Sequence, residues 1–172
     1  MIVLSTRDRE DIKELFESTD KRFYLVPSAH PSNAYQVLWF TLSDERACKV
    51  DILTPGVISI PDIPVECIMY QYTFPDIPIA PFLCLLLLKL RGWKDHLEDP
   101  RKYMNDKVPI DEDDIEELLE LAVAEYAVHL RTEEWMPAWF VEEAKGRVAD
   151  YVQRWPDTAD SWQEIGFEVD KD

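Results

Sequence analysis

The stretch Phe82–Glu98, FLCLLLLKLRGWKDHLE, decides how the rest of the chain is read. Pro81 stands just before it, where a fixed φ and a missing N–H suit the first turn of a helix, so a helix is expected from Pro81 to about Glu98. Its first two turns are apolar all round, which predicts burial on several sides. Lys89 and Arg91 end the apolar run of Ile79–Leu88 well short of the roughly 20 residues that span a bilayer, so the segment reads as a buried helix and no membrane partner is expected.

Downstream, a polar loop is expected through Pro100–Pro109. A long amphipathic helix begins at Asp111, with Ile115, Leu118, Leu119, Ala122, Tyr126 and Leu130 inward and Glu112, Asp113, Glu116, Glu117 and Glu120 outward. A third helix is expected from Pro137 to about Trp155, and a last turn over Ser161–Phe167. Upstream, prolines recur from Pro55 to Pro81, which excludes a long helix and predicts extended chain with a short strand near Cys67–Tyr72. Before that, Met1–Ser5 reads as a strand. Thr6 or Asp8 can cap a following helix on which Ile12, Leu15 and Phe16 share a face, and Asp20 and Lys21 close it. Phe23–Val26, Tyr35–Leu42 and Ala47–Leu53 are aromatic and β-branched and read as strands, with Ser43–Arg46 as a hairpin turn. The predicted class is α+β: a small mixed sheet of about four to five strands over residues 1–78, with a helical region over 79–172 packed on it as one unit.

The chain has 172 residues, with 35 Asp and Glu against 18 Lys and Arg, giving a formal charge of −17. Nucleic-acid affinity rests largely on Lys and Arg displacing counterions, so no binding to a phosphate backbone is expected of this composition. At 47% apolar residues the chain can bury a sizeable core. Cys48, Cys67 and Cys84 have no CxxC spacing and leave an odd thiol, which fits buried thiols in a reducing compartment. The charged residues Arg7–Glu10 interrupt the start too early for a signal peptide, so a cytoplasmic location is expected.

Phosphate-cradling glycine motifs, HExxH and GxSxG are absent. His30, His96 and His129 have no metal-ligand spacing and read as surface or hydrogen-bonded histidines. Lys49 and Asp51 share one face of a strand whose other face carries Val50 and Ile52. They are either a solvated pair or a site near a strand end. Lys89 is either a snorkelling side chain or a ligand-binding one, and Asp111 either a helix cap or a partner of Asp114 in a site.

Taken in order, KVDILTPG (residues 49–56), LLLLKLRGWKDH (85–96) and KVPIDEDDIEELL (107–119) resemble the nucleotidyltransferase superfamily, specifically AbiEii toxin-like minimal nucleotidyltransferases and related fungal proteins. The resemblance covers roughly Met1–Leu121. It implies that Asp51 is the third catalytic, metal-binding carboxylate, with Lys49 beside it. It also implies that Lys89 contacts nucleotide phosphates and that Asp111 and Asp114 form the family's acidic DxxD element. Such a site works by Mg²⁺-assisted nucleotidyl transfer from a nucleoside triphosphate. The family's Gly-Ser turn, and its Asp-x-Asp pair on the first core strand, have no counterpart at the start of this sequence; their expected place is at or before Met1. The resemblance therefore implies a pseudoenzyme with an incomplete catalytic centre that retains Mg-nucleotide binding, or the C-terminal part of an active nucleotidyltransferase. A different class of function, a protein-interaction module or homodimer, is suggested by Trp135, Trp139, Trp155 and Trp162, because tryptophan is enriched at interface hot spots.

Overall fold

The computed structural model describes residues 9–28, 34–56 and 59–169. The expected strand at Met1–Ser5, its capping residues Thr6 and Asp8, and His30 lie outside the described residues. The chain divides into two compact units, Met1–Asp62 and Ile63–Asp172. The architecture is α+β. Among the described residues the strands form two small antiparallel sheets, not the single mixed sheet expected. A parallel pair needs a crossover of about a dozen residues or more, and the short link at Asp44 and Glu45 allows only a hairpin.

In the first unit, helix α1 (Arg9–Thr19) carries Glu10 and Asp11 in its first turn, where the helix dipole favours carboxylates. It closes where Thr19 Oγ1 donates to Leu15 O at 2.6 Å and Asp20 N donates to Phe16 O at 3.1 Å. Strands β1 (Phe23–Pro27), β2 (Gln36–Ser43) and β3 (Arg46–Val50) follow in the order β1-β2-β3. The register sets Phe23 opposite Phe40, Leu25 opposite Leu38, and Leu38 opposite Val50. The turn at Asp44 and Glu45 matches the expected hairpin, with a register shift between Thr41 and Ser43. Ile12, Leu38 and Ile52 are buried at the centre of this unit, with Phe16, Phe23, Leu25 and Val50 packed around them. Leu15 is exposed, contrary to the expected helix face. Residues 12 and 16 lie one turn apart and align on the sheet, whereas residue 15 is rotated about 60° from 12, enough to leave a narrow interface.

The second unit opens with the hairpin β4 (Met69–Gln71) and β5 (Phe74–Ile79). Strand β5 contains Pro75 and Pro78 and was not expected as a strand. In a two-stranded sheet every strand is an edge, and there a residue without an N–H is tolerated. Helix α2 (Phe82–Glu98) has the expected bounds, and α3 (Lys102–Asn105) interrupts the expected polar loop. Helix α4 (Val108–Ala124) starts three residues before Asp111, because Pro109 sits in its first turn, where proline is favoured. Helices α5 (Ala138–Arg154) and α6 (Ala159–Glu164) complete the unit. Helix α2 packs on α4 and α5. It buries Leu83, Leu86, Leu87, Leu90 and Trp93, while Leu85 is exposed, so its apolar start is covered on most sides but not all. A chain of aromatic rings crosses the core: Trp93 meets Tyr151 edge-on at 5.1 Å, Tyr151 meets Trp162 at 6.1 Å, and Trp162 meets Phe167 at 5.6 Å. No helix among the described residues is long and apolar enough to cross a membrane.

Candidate functional site

Lys89, Trp93 and His96 recur at spacings of four and three along α2 and therefore share a face. Asp111 and Asp114 are three residues apart in the early part of α4 and face the same way. Packing of α2 on α4 brings the two faces together. Lys89 Nζ lies 3.2 Å from Asp111 Oδ1 and 2.5 Å from Asp114 Oδ2, and His96 Nδ1 lies 2.5 Å from Asp111 Oδ2. Asp111 is the only buried charged side chain among the described residues, with 7% of its side chain exposed. A carboxylate can be held there because both oxygens have a partner, and because the first turn of α4 adds a favourable dipole. The Asp111 N–H is used by the helix itself, donating to Lys107 O at 3.0 Å, so Asp111 is not a helix cap. Burial works against the Lys89 ammonium, but the hydrogen bonds it donates to Asp114 and Asp111 outweigh it and hold the group above the usual lysine range.

A second polar junction lies one residue further along α4. Glu112 was expected outward, yet its carboxylate accepts from Trp93 Nε1 at 3.1 Å and from Arg154 Nε at 2.6 Å. It ties α2 and α5 to α4. Burial pushes the neighbouring Tyr151 phenol up to about 12, with the charges of Glu112 and Glu116 adding to the effect. The outward positions Asp113, Glu116, Glu117 and Glu120 are exposed, as expected.

Lys49 and Asp51 lie in the first unit. Both are exposed, and Lys49 Nζ meets Asp51 Oδ1 at 2.7 Å. Strand β3 ends at Val50, so Asp51 stands just past the strand end, on the side opposite the packed Val50 and Ile52. Of the five residues singled out by sequence, Lys89, Asp111 and Asp114 converge. Lys49 and Asp51 form a separate pair in the other unit.

Mg²⁺ needs about six oxygen ligands in near-octahedral geometry, several of them anionic when the protein supplies the site. Asp51 is one carboxylate already paired with a lysine, and Asp111 and Asp114 are paired with Lys89 and His96. Among the described residues no group of three or more His, Cys, Asp or Glu side chains is arranged to hold a metal ion. The described donor set does not fit Mg²⁺.

Sequence reasoning missed His96, Glu112 and Arg154. His96 was legible in principle: seven residues after Lys89 on one helix, it returns to the same face. His129 is satisfied as expected, its Nδ1 accepting from Arg131 N at 3.1 Å. Cys84 is buried, but Cys48 is exposed, against the expectation that the thiols are buried. It lies on β3, whose residues up to Lys49 are all exposed. No family model, no curated protein and no solved structure matches this chain.

Proposed function

We propose that this chain is a nucleotidyltransferase-like binding protein with an incomplete catalytic centre, whose remaining polar site is the Lys89, His96, Asp111 and Asp114 cluster. The observation that supports this reading is the convergence of Lys89 with Asp111 and Asp114, the three helical residues that the sequence resemblance singles out, at 3.2 and 2.5 Å. The donor chemistry argues against metal-assisted transfer by this chain, so the reading is one of phosphate binding. Lys89 meets a triphosphate by exchanging Asp114, its more exposed partner, while buried Asp111 keeps the ammonium in place.

Calorimetric titration with each nucleoside triphosphate, and with the matching nucleosides, tests the reading. Lys89→Ala weakens triphosphate binding about tenfold or more and leaves nucleoside binding within about twofold. Asp114→Asn tightens triphosphate binding, because it removes a charge that competes for Lys89. Asp51→Asn changes nothing if the helical cluster acts alone. Equal losses for triphosphate and nucleoside in Lys89→Ala, or no binding by the folded protein, overturn the proposal.

A homodimer through the tryptophan-rich region is the second reading, favoured by the exposed Trp139 and Trp155. These residues bracket α5 and stand about 24 Å apart along its axis, at 1.5 Å per residue. Trp162 is fully buried and takes no part in such a surface. A single monomeric species in sedimentation at high concentration removes this reading.

A further inference from the structure

The sheet of the first unit is closed along one edge and open along the other. Thr41 N donates to Arg22 O at 2.8 Å and Ser28 N donates to Tyr35 O at 3.3 Å, in line with the register that sets Leu25 opposite Leu38. Backbone hydrogen bonds point alternately to one side of a strand and the other. The odd-numbered residues of β2 therefore bond to β1, while Leu38 and Phe40 turn to β3, where Val50 and Cys48 stand opposite them. This leaves Leu25 on β1, and Ala47 and Lys49 on β3, with their backbone N–H and C=O groups turned away from the sheet. On β1 the outward N–H of Leu25 donates to Glu17 Oε1 of α1 at 3.1 Å. On β3, among the described residues, no hydrogen bond within the chain takes up the outward groups of Ala47 and Lys49, and Arg46–Lys49 are all exposed.

An open edge without proline is a template for a further strand. Pro75 and Pro78 blunt β5 in that respect, and β3 has no proline. Charge and register decide which strand fits. Met1–Asp62 holds seven Lys and Arg against ten Asp and Glu, so it carries −3 of the −17, and the repulsion between copies of this chain is concentrated in the other unit. Lys49, the side chain placed to guard the edge, is neutralised by Asp51 at 2.7 Å. A second, antiparallel β3 pairs over the whole strand when the pairing is centred on Cys48. Arg46 then faces Val50 of the second copy, Ala47 faces Lys49, and Cys48 faces Cys48. No like charges stand directly opposite, and the two Lys49 side chains, diagonal neighbours, each keep Asp51 of their own chain. Centring on Lys49 sets two ammonium groups face to face, and centring on Ala47 drops Lys49 and Val50 from the ladder. We propose that β3 pairs antiparallel with β3 of a second copy about Cys48, joining two three-stranded sheets into one. Ala47 and Lys49 exchange backbone hydrogen bonds across the copies. The two Cys48 residues form a non-hydrogen-bonded pair with Cα atoms about 4.5 Å apart, within the span of a disulfide.

The test uses the full chain with Cys67→Ser, which leaves Cys48 as the accessible thiol beside buried Cys84. Sedimentation over a range of concentrations is expected to show a monomer–dimer equilibrium. Ala47→Pro removes an outward N–H that the β2 ladder does not use, and is expected to weaken dimerisation about tenfold or more. Glutathione disulfide reports the register. It takes two protons and two electrons from two Cys48 thiols and leaves as two molecules of glutathione, while a bond forms between the two Sγ atoms. A thiol moved along the strand by Arg46→Cys with Cys48→Ser is held four residues, about 13 Å, from its counterpart, and is expected to cross-link about tenfold or more slowly. A single monomeric species up to about millimolar concentration, a dimer unmoved by Ala47→Pro, or equal cross-linking from positions 46 and 48 overturns the proposal. Loss of the dimer in Trp139→Ala with Trp155→Ala also overturns it, because it marks the tryptophan-rich surface as the interface. The cross-linking comparison does not involve the proline variant, so a folding defect in Ala47→Pro does not rescue the proposal.

Discussion

Asp111→Ala is expected to be the most damaging single polar substitution in the second unit. The carboxylate is 7% exposed and holds Lys89 at 3.2 Å and His96 at 2.5 Å. Charge-assisted hydrogen bonds contribute about 1.5–3 kcal/mol each, and removing one partner of a buried pair costs about 3–5 kcal/mol. Lys89 is a third exposed and keeps Asp114, so solvent and the second carboxylate absorb part of the loss. The net expectation is about 3 kcal/mol for Asp111→Ala and about half that for Asp111→Asn, which keeps an acceptor for Lys89. Asp114→Ala, at a half-exposed site, is expected to cost under about 1 kcal/mol. The assay is urea unfolding followed by tryptophan fluorescence. Of the six tryptophans only Trp39 lies in the first unit, so the signal reports the second. A double-mutant cycle with Lys89→Met isolates the pair, and its coupling is expected to exceed that of Lys89 with Asp114. A loss below about 0.5 kcal/mol for Asp111→Ala, with the slope of the unfolding curve unchanged, refutes the reasoning, because it means the carboxylate contributes no more than a surface group.

Three further outcomes follow from the same geometry. The folded state holds the Lys89 proton more tightly than the unfolded chain, so the stability from its ion pairs is complete below about pH 10.5, the ordinary lysine value, and is lost as pH rises through the higher folded value. The difference in stability between the parent chain and Lys89→Met is therefore expected to be constant from neutrality to about pH 10 and to shrink above it; a difference that grows with pH contradicts this. Burial pushes the Cys84 thiol up to about 12 from 9.0, giving about a thousandfold less thiolate than an ordinary thiol. A thiol reagent at pH 8 should therefore modify exposed Cys48 at once and Cys84 only on unfolding. Gly166 has φ +101°, and a Cβ there would come within 2.6 Å of the His129 ring. Gly166→Ala is expected to cost about 2 kcal/mol in thermal unfolding, and His129→Ala in the same background to recover only the steric part.

Legibility varied with how local the cause was. The bounds of α2 and α5 follow from Pro81 and Pro137 at their starts and from unbroken helical periodicity, and both were expected nearly to the residue. Strands β1, β2 and β3 were expected within a few residues, because aromatic and β-branched runs flank a polar turn. Only part of the β4–β5 hairpin is legible in the sequence: Pro75 and Pro78 argue against a strand, and they are tolerated because each strand is an edge of a two-stranded sheet among the described residues. Helix α4 starts upstream of its expected position because Pro109, which equally suits the end of a loop, here serves in the first turn.

The site divided in the same way. Lys89, Asp111 and Asp114 were visible as unusual residues at the edges of apolar runs, and the helical repeat places each on a definite face. By itself, the amino-acid order determined the α+β class, the long helices, the hairpin turn and the candidate residues, since these depend on interactions within a few positions of the chain. Tertiary structure alone decided that Asp111 is buried between Lys89 and His96, that Glu112 turns inward to Trp93 and Arg154, and that Lys49 and Asp51 pair with each other at the surface. Lys89 and Asp111 are 22 residues apart and Glu112 and Arg154 are 42 apart. Over such separations, which carboxylate meets which cation depends on how two helices cross and which side chains fill the space between them, and local propensity carries no information about either.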